Sequence, residues 1–167
     1  MSTAIALSVD QAWAALGAVP DPEIPVISVV ELGIVRDLHI DGDAVEVILT
    51  PTYSGCPATE IIARDIVAAL KAAGAGEVRV RTQLAPAWTT EWIDPAAREK
   101  LRAYGIVPPA EHATDGAQPL HFVPRVLDCP RCGAGDTERL SQFGATACKA
   151  LYRCRSCGEP FEYFKPL

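Results

Sequence analysis

Two short cysteine turns near the C-terminal end constrain this chain more than any other feature. Cys129-Pro-Arg-Cys132-Gly133 and Cys154-Arg-Ser-Cys157-Gly158 are matched C-x-x-C-G knuckles separated by twenty-one residues. Each sets two thiolates on a tight turn, and the glycine after the second cysteine lets backbone amides turn toward the sulfurs. Four thiolates at this spacing suit tetrahedral Zn²⁺. Rubredoxin-like iron uses the same pattern and stays open, as do disulfides, which a reducing cytosol disfavours. A module of roughly 40 residues has too little core to be stable unaided. A structural zinc ion contributes on the order of 10–16 kcal/mol, enough to offset that deficit. The stretches Thr137–Phe143 and Ala147–Arg153 supply strands, so residues 126–167 read as a zinc ribbon. A closed four-thiolate site offers substrate no coordination position, which makes the metal structural.

The charge divides where the cysteines do. Residues 1–124 carry eight basic and sixteen acidic side chains, and residues 125–167 carry seven and five. Between the halves, residues 106–125 contain Pro108, Pro109, Gly116, Pro119 and Pro124 without periodic apolar residues. That composition reads as a partly extended linker. The whole chain has a net charge of −6 and a pI near 5.0, which argues against a general binder of phosphate backbones. It shows no charged-then-apolar leader and no apolar run approaching a membrane span. The expectation is a cytoplasmic protein with neither a nucleic-acid nor a membrane partner.

Residues 1–105 read as a small α+β domain. Ser8 and Gln11 form a capping-box pattern opening a helix to about Val19, with Val9, Trp13 and Leu16 on its buried face. Asp21-Pro-Glu-Ile-Pro25 stops it, because two prolines remove backbone donors. Ile34–Ile40 and Ala44–Thr50 are strands of a hairpin around Asp41-Gly-Asp43. A helix follows from Cys56-Pro57 to about Ala73, with Ile62, Ile66, Ala69 and Ala73 turned inward. Glu77–Leu84 is a third strand, and Asp94-Pro95 begins a last helix ending at Tyr104. The order α-β-β-α-β plus a terminal helix gives a two-layer sandwich.

Two further thiols invite chemistry. Cys56 sits where a helix begins, so the helix dipole favours its thiolate, and Thr52, Tyr53 and Ser54 just before it are hydrogen-bond donors. A buried cysteine capping a packed helix fits equally well. His39, His112 and His121 are scattered, so no Cys–His hydrolase assembles. Cys148 lies beside Lys149, a cation that favours a thiolate, although a small apolar filler is the simpler reading. No Glu-x-x-His pair for a di-iron site and no G-x-G-x-x-G nucleotide turn occurs, so the chain is not expected to be an enzyme by itself.

The run from Asp21-Pro-Glu-Ile-Pro25 through Glu31-Leu-Gly33 to Asp37-Leu38 resembles the signature of the SufT-like family of iron–sulfur assembly domains. So do Thr50-Pro-Thr-Tyr-Ser-Gly55-Cys56-Pro57 and Pro86-Ala-Trp88-Thr-Thr-Glu-Trp92. With the ribbon and its Phe143-Gly-Ala-Thr146-Ala-Cys148-Lys149-Ala150, the whole chain is similar to the D-component family of multicomponent phenylacetyl-CoA epoxidase systems. The resemblance implies an accessory or maturation role in aerobic phenylacetate breakdown, with the oxygenase subunits and their iron–sulfur reductase as partners. A non-catalytic docking subunit is the alternative. It implies Cys56 as a transient cluster thiolate, with Asp21, Glu23 and Thr52 shaping its site and Cys148 as a candidate second thiol. Cys129, Cys132, Cys154 and Cys157 would hold the zinc, while Trp88 and Trp92 are candidates for partner docking. One thiol is not a complete cluster site, so a homodimer, a partner protein or a small thiol would have to complete it.

Overall fold

The computed structural model describes residues 7–109 and 126–167. These show an α+β protein with three α-helices and two sheets, forming two compact units that divide between Ala97 and Arg98.

In the first unit, α1 (Val9–Gly17) is opened by a complete capping box between Ser8 and Gln11, with Ser8 N donating to Gln11 Oε1 at 3.0 Å and Gln11 N to Ser8 Oγ at 3.2 Å. Its inward residues are Ala12 and Leu16, whereas Val9 is 52% exposed and Trp13 half-buried. The expected face is thus rotated. α1 packs against the second helix, and the small Ala12 permits the close approach that Trp13 would block. The hairpin forms as expected from β1 (Val35–Asp41) and β2 (Ala44–Leu49), with Gly42 taking a positive φ of 63° in the turn.

Helix α2 (Ala58–Ala72) buries Ala58, Ile62, Ile66 and Leu70, so Leu70 takes the inward place expected for Ala69 and Ala73. It returns the chain to β3 (Glu77–Thr82), which runs parallel to β2 and makes the sheet order β1-β2-β3. β3 is an edge strand, and Val78 and Val80 are only half-buried. Beyond it a short 3₁₀ turn (Thr90–Trp92) brings Trp92 against Gly33, whose φ is 76° and whose added Cβ would stand 2.7 Å from Trp92 Cβ. Gly33→Ala combines left-handed strain with overpacking. It is expected to lower stability by about 3 kcal/mol or more, read as a drop in Tm.

Helix α3 (Pro95–Tyr104), within which the division falls, leads into β4 (Ile106–Val107) of the second unit, which pairs parallel with β7 (Pro160–Phe164). The remaining strands, β5 (Thr137–Ser141) and β6 (Lys149–Cys154), complete a sheet in the order β4-β7-β6-β5. The stretch expected to be linker thus begins as a strand of this sheet. The rest of that linker, from residue 110 to 125, lies outside the described residues, with His112 and His121. The ribbon core is small: Leu127, Cys129, Ala150, Tyr152, Cys154, Phe161 and Tyr163, with Val107 and Ala134 against it. Tyr152 stacks on Phe161 with centroids 5.7 Å apart and meets Tyr163 edge-on at 6.0 Å.

Candidate metal centre and reactive thiol

Each knuckle closes by the same backbone bonds. Gly133 N donates to Cys129 O and Gly158 N to Cys154 O, both at 2.9 Å, with φ of 74° and 80° at the two glycines. Side chains would strain there, which is why glycine follows each pair. Amides then point at sulfur: Arg131 N at Cys129 Sγ (3.4 Å) and Cys157 N at Cys154 Sγ (3.5 Å). The first cysteine of each knuckle is buried and the second exposed.

The strands bring the knuckles face to face, because Thr137 at the start of β5 pairs with Cys154 at the end of β6. All four sulfurs lie within 4.8 Å of one another, with Cys129–Cys157 at 3.8 Å and Cys132–Cys154 at 3.6 Å. Those separations are too long for a disulfide and match the edge, about 3.8 Å, of a tetrahedron with metal–sulfur bonds near 2.3 Å. The donor set fits a tetrahedral ion. Without one, like charges compete. The Cys157 amide, set against burial, leads the effects that hold the Cys154 thiol down to about 7. Cys157 is pushed up to about 12 although the Glu159 amide favours its thiolate, because burial and the neighbouring sulfurs outweigh that bond.

The first unit holds the other candidates. Asp21 is buried, and its Oδ1 accepts from Glu23 N (2.9 Å) and Ile24 N (2.8 Å), while Asp21 N donates to Ile27 O at 2.9 Å. The carboxylate therefore shapes the Asp21–Ile27 loop, and Glu23 is exposed. Thr52 and Cys56 are half-buried in the loop before α2. Cys56 N donates to Tyr53 O at 3.3 Å, and Cys56 O accepts from Thr59 N at 3.1 Å, so the thiol stands at the threshold of the helix. Among the described residues, no group of three or more Cys, His, Asp or Glu side chains converges on Cys56.

Trp88 lies in the core of the first unit. It is 4% exposed, and its Nε1 donates to Leu32 O at 3.1 Å, so it packs the loop after β3 onto the segment before β1. Trp92 is half-buried with the Arg36 guanidinium 3.6 Å from its ring centroid. Cys148 is buried, with Sγ 3.0 Å from Thr146 Oγ1. Lys149, expected beside the Cys148 thiol, turns its ammonium to a carboxylate. Its ammonium is buried 2.6 Å from Glu162 Oε2, and Glu162 Oε1 also accepts from Ala145 N at 2.9 Å. Glu162→Ala strands that ammonium and is expected to cost about 3–5 kcal/mol, measured by thermal melting.

Comparison with known proteins extends these observations to the family. Residues 9–82 match the family described as "Iron-sulfur cluster assembly protein", and residues 113–165 match "PaaD zinc beta ribbon domain". A protein of Escherichia coli (strain K12), named as the putative D component of 1,2-phenylacetyl-CoA epoxidase, is 52% identical over 157 residues, spanning 94% of this chain and 92% of its own. The chain belongs to the PaaD family.

Solved relatives share the fold of part of this PaaD-family chain. A domain of unknown function from Bacillus anthracis is 29% identical, with a TM-score of 0.51, and the match covers 55% of this chain and 89% of that one. A conserved hypothetical protein from Thermotoga maritima is 35% identical at the same TM-score of 0.51, covering 60% of this chain and 98% of that one. Two features of the PaaD-family chain escape sequence reasoning. One is Glu162, whose partner lies thirteen positions away on the neighbouring strand. The other is Thr50, buried with a hydroxyl that has no hydrogen-bond partner among the described residues. Its only signal is a polar residue directly after the buried run Val47-Ile48-Leu49.

Proposed function

We propose that the protein is a non-catalytic, cytoplasmic accessory subunit of 1,2-phenylacetyl-CoA epoxidase, assisting assembly or protection of its iron–sulfur or iron centre in aerobic phenylacetate breakdown. The observation that carries this reading is Cys56. It is the sole thiol of the iron–sulfur-assembly-type unit, and it is partly accessible at the start of α2. In this role Cys56 holds iron of a cluster in transit. Transfer is ligand exchange: the sulfur of a client thiol replaces the Cys56 sulfur on iron, and the client's thiol proton passes to Cys56. No electron moves. Asp21 and the loop it closes, with Thr52, frame the thiol. With no converging ligand group at Cys56 among the described residues, a partner protein, a second protomer or a small thiol supplies the remaining ligands.

The ribbon's four thiolates hold zinc as a structural ion and present a surface to the oxygenase or its reductase. Their closed set leaves the metal no position for substrate. Protein purified without air is expected to hold one zinc per chain. Loaded with iron and sulfide, it is expected to show a visible charge-transfer band that Cys56→Ser removes. An identical band in the variant would sink the role of Cys56 and leave the docking alternative, in which the ribbon alone matters.

A further inference from the structure

The cations of the ribbon divide into two kinds. Arg131 pairs with Glu159, Lys149 with Glu162, and Arg153 and Arg155 both with Glu138. Arg139, exposed on β5 three residues before Gln142, and Lys165, whose Nζ donates to Gln142 O, have no carboxylate partner among the described residues. Burial leads the effects that hold the Lys165 ammonium below the ordinary lysine range; the Cys148 sulfur works against it, and Arg139 adds a smaller repulsion. Two cations without a carboxylate partner, in a module that pairs its other described cations, suit an anionic partner.

The same place carries an aromatic group held toward water. Phe143 is 60% exposed, and Lys165 Nζ lies 4.5 Å from its ring centroid while donating to Gln142 O at 3.1 Å. The loop beneath is pinned. Gly144 N donates to Lys149 O at 2.7 Å, Lys165 N to Cys148 O at 2.9 Å, and Glu162 grips Ala145 and Lys149. A Cβ on Gly144 would meet Glu162 Oε1 at 2.5 Å, so the loop lies directly on that carboxylate. A buried ion pair is costly to form. Here it orders a loop whose one large side chain faces solvent. A pre-ordered aromatic with an ammonium against its ring has the anatomy of an interface anchor, for which little side-chain entropy remains to be lost on binding.

We infer that this end of the ribbon, Phe143 with Lys165 and Arg139, docks onto a partner protein that presents carboxylates around an apolar notch. The inference rests on the accessory-subunit reading and names the surface through which that role is exercised. The test immobilises the full chain and measures retention of the co-expressed epoxidase subunits. Phe143→Ser and Lys165→Glu are each expected to weaken retention tenfold or more. Lys71→Glu, a matched charge change on α2, is expected to leave it unaltered, and raised salt to weaken the wild type. Zinc content and Tm report whether each variant is folded; Arg139→Glu, a change at an exposed position of β5 that is expected to weaken retention in the same direction, decides if the other two are not.

Folded variants that bind as the wild type does overturn the docking surface while leaving the accessory reading intact. Wild-type chain that retains no epoxidase subunit overturns the accessory reading itself. Light scattering that shows a wild-type dimer and a monomeric Lys165→Glu variant also overturns the inference, because the surface then pairs two copies of this chain.

Discussion

Cys154→Ser protein is expected to carry no metal in the ribbon and to lose the ordered structure of β5, β6 and β7. Cys154 is fully buried at the end of β6, 3.6 Å from Cys132, and belongs to a cluster of seven buried residues in the ribbon, beside which Phe164 is also buried. A core that small leaves little net stability after conformational entropy is subtracted. The metal therefore decides whether the ribbon folds, since a structural zinc site contributes on the order of 10–16 kcal/mol. Metal analysis and amide exchange across residues 126–167 check this, and a chelator should reproduce the variant's behaviour in the wild type. Cys148→Ser is the control. Its sulfur faces Thr146 and lies outside the converging set, so one metal per chain should remain. Full metal content in Cys154→Ser protein would contradict the assignment.

The second large effect falls on function. Cys56→Ser is expected to leave folding within about 1 kcal/mol of wild type, because a half-buried loop residue without a packed cavity changes stability little. Epoxidase matured beside that variant is expected to fall to the activity reached with this chain absent. The contrast between unchanged Tm and lost maturation separates a thiol used in chemistry from one used in packing. Equal losses of both would make Cys56 a structural cysteine.

What the sequence revealed follows the range of the interactions involved. The ribbon's four thiols were legible because each knuckle is a five-residue motif and glycine marks its turn. The hairpin was legible because Asp41-Gly-Asp43 is local too. The buried face of α1 was not, since Ala12 displaces Val9 and Trp13 only through contact with α2. Ile106–Val107 looked like linker because two residues carry no periodicity, and their partners Glu162 and Tyr163 lie more than fifty positions on. Trp88 could be read as surface or core until its indole met Leu32 O, fifty-six positions away. Lys149 looked like a neighbour of Cys148, yet β6 directs its ammonium across to Glu162 on β7.

Whether Cys56 serves the iron of the epoxidase is measured most directly as iron per epoxidase complex. The complexes are prepared from matched cells that supply the wild-type chain, the Cys56→Ser chain or neither. A thiol that carries iron to the complex predicts full iron with the wild type and equal depletion in the other two. Full iron beside Cys56→Ser would contradict it.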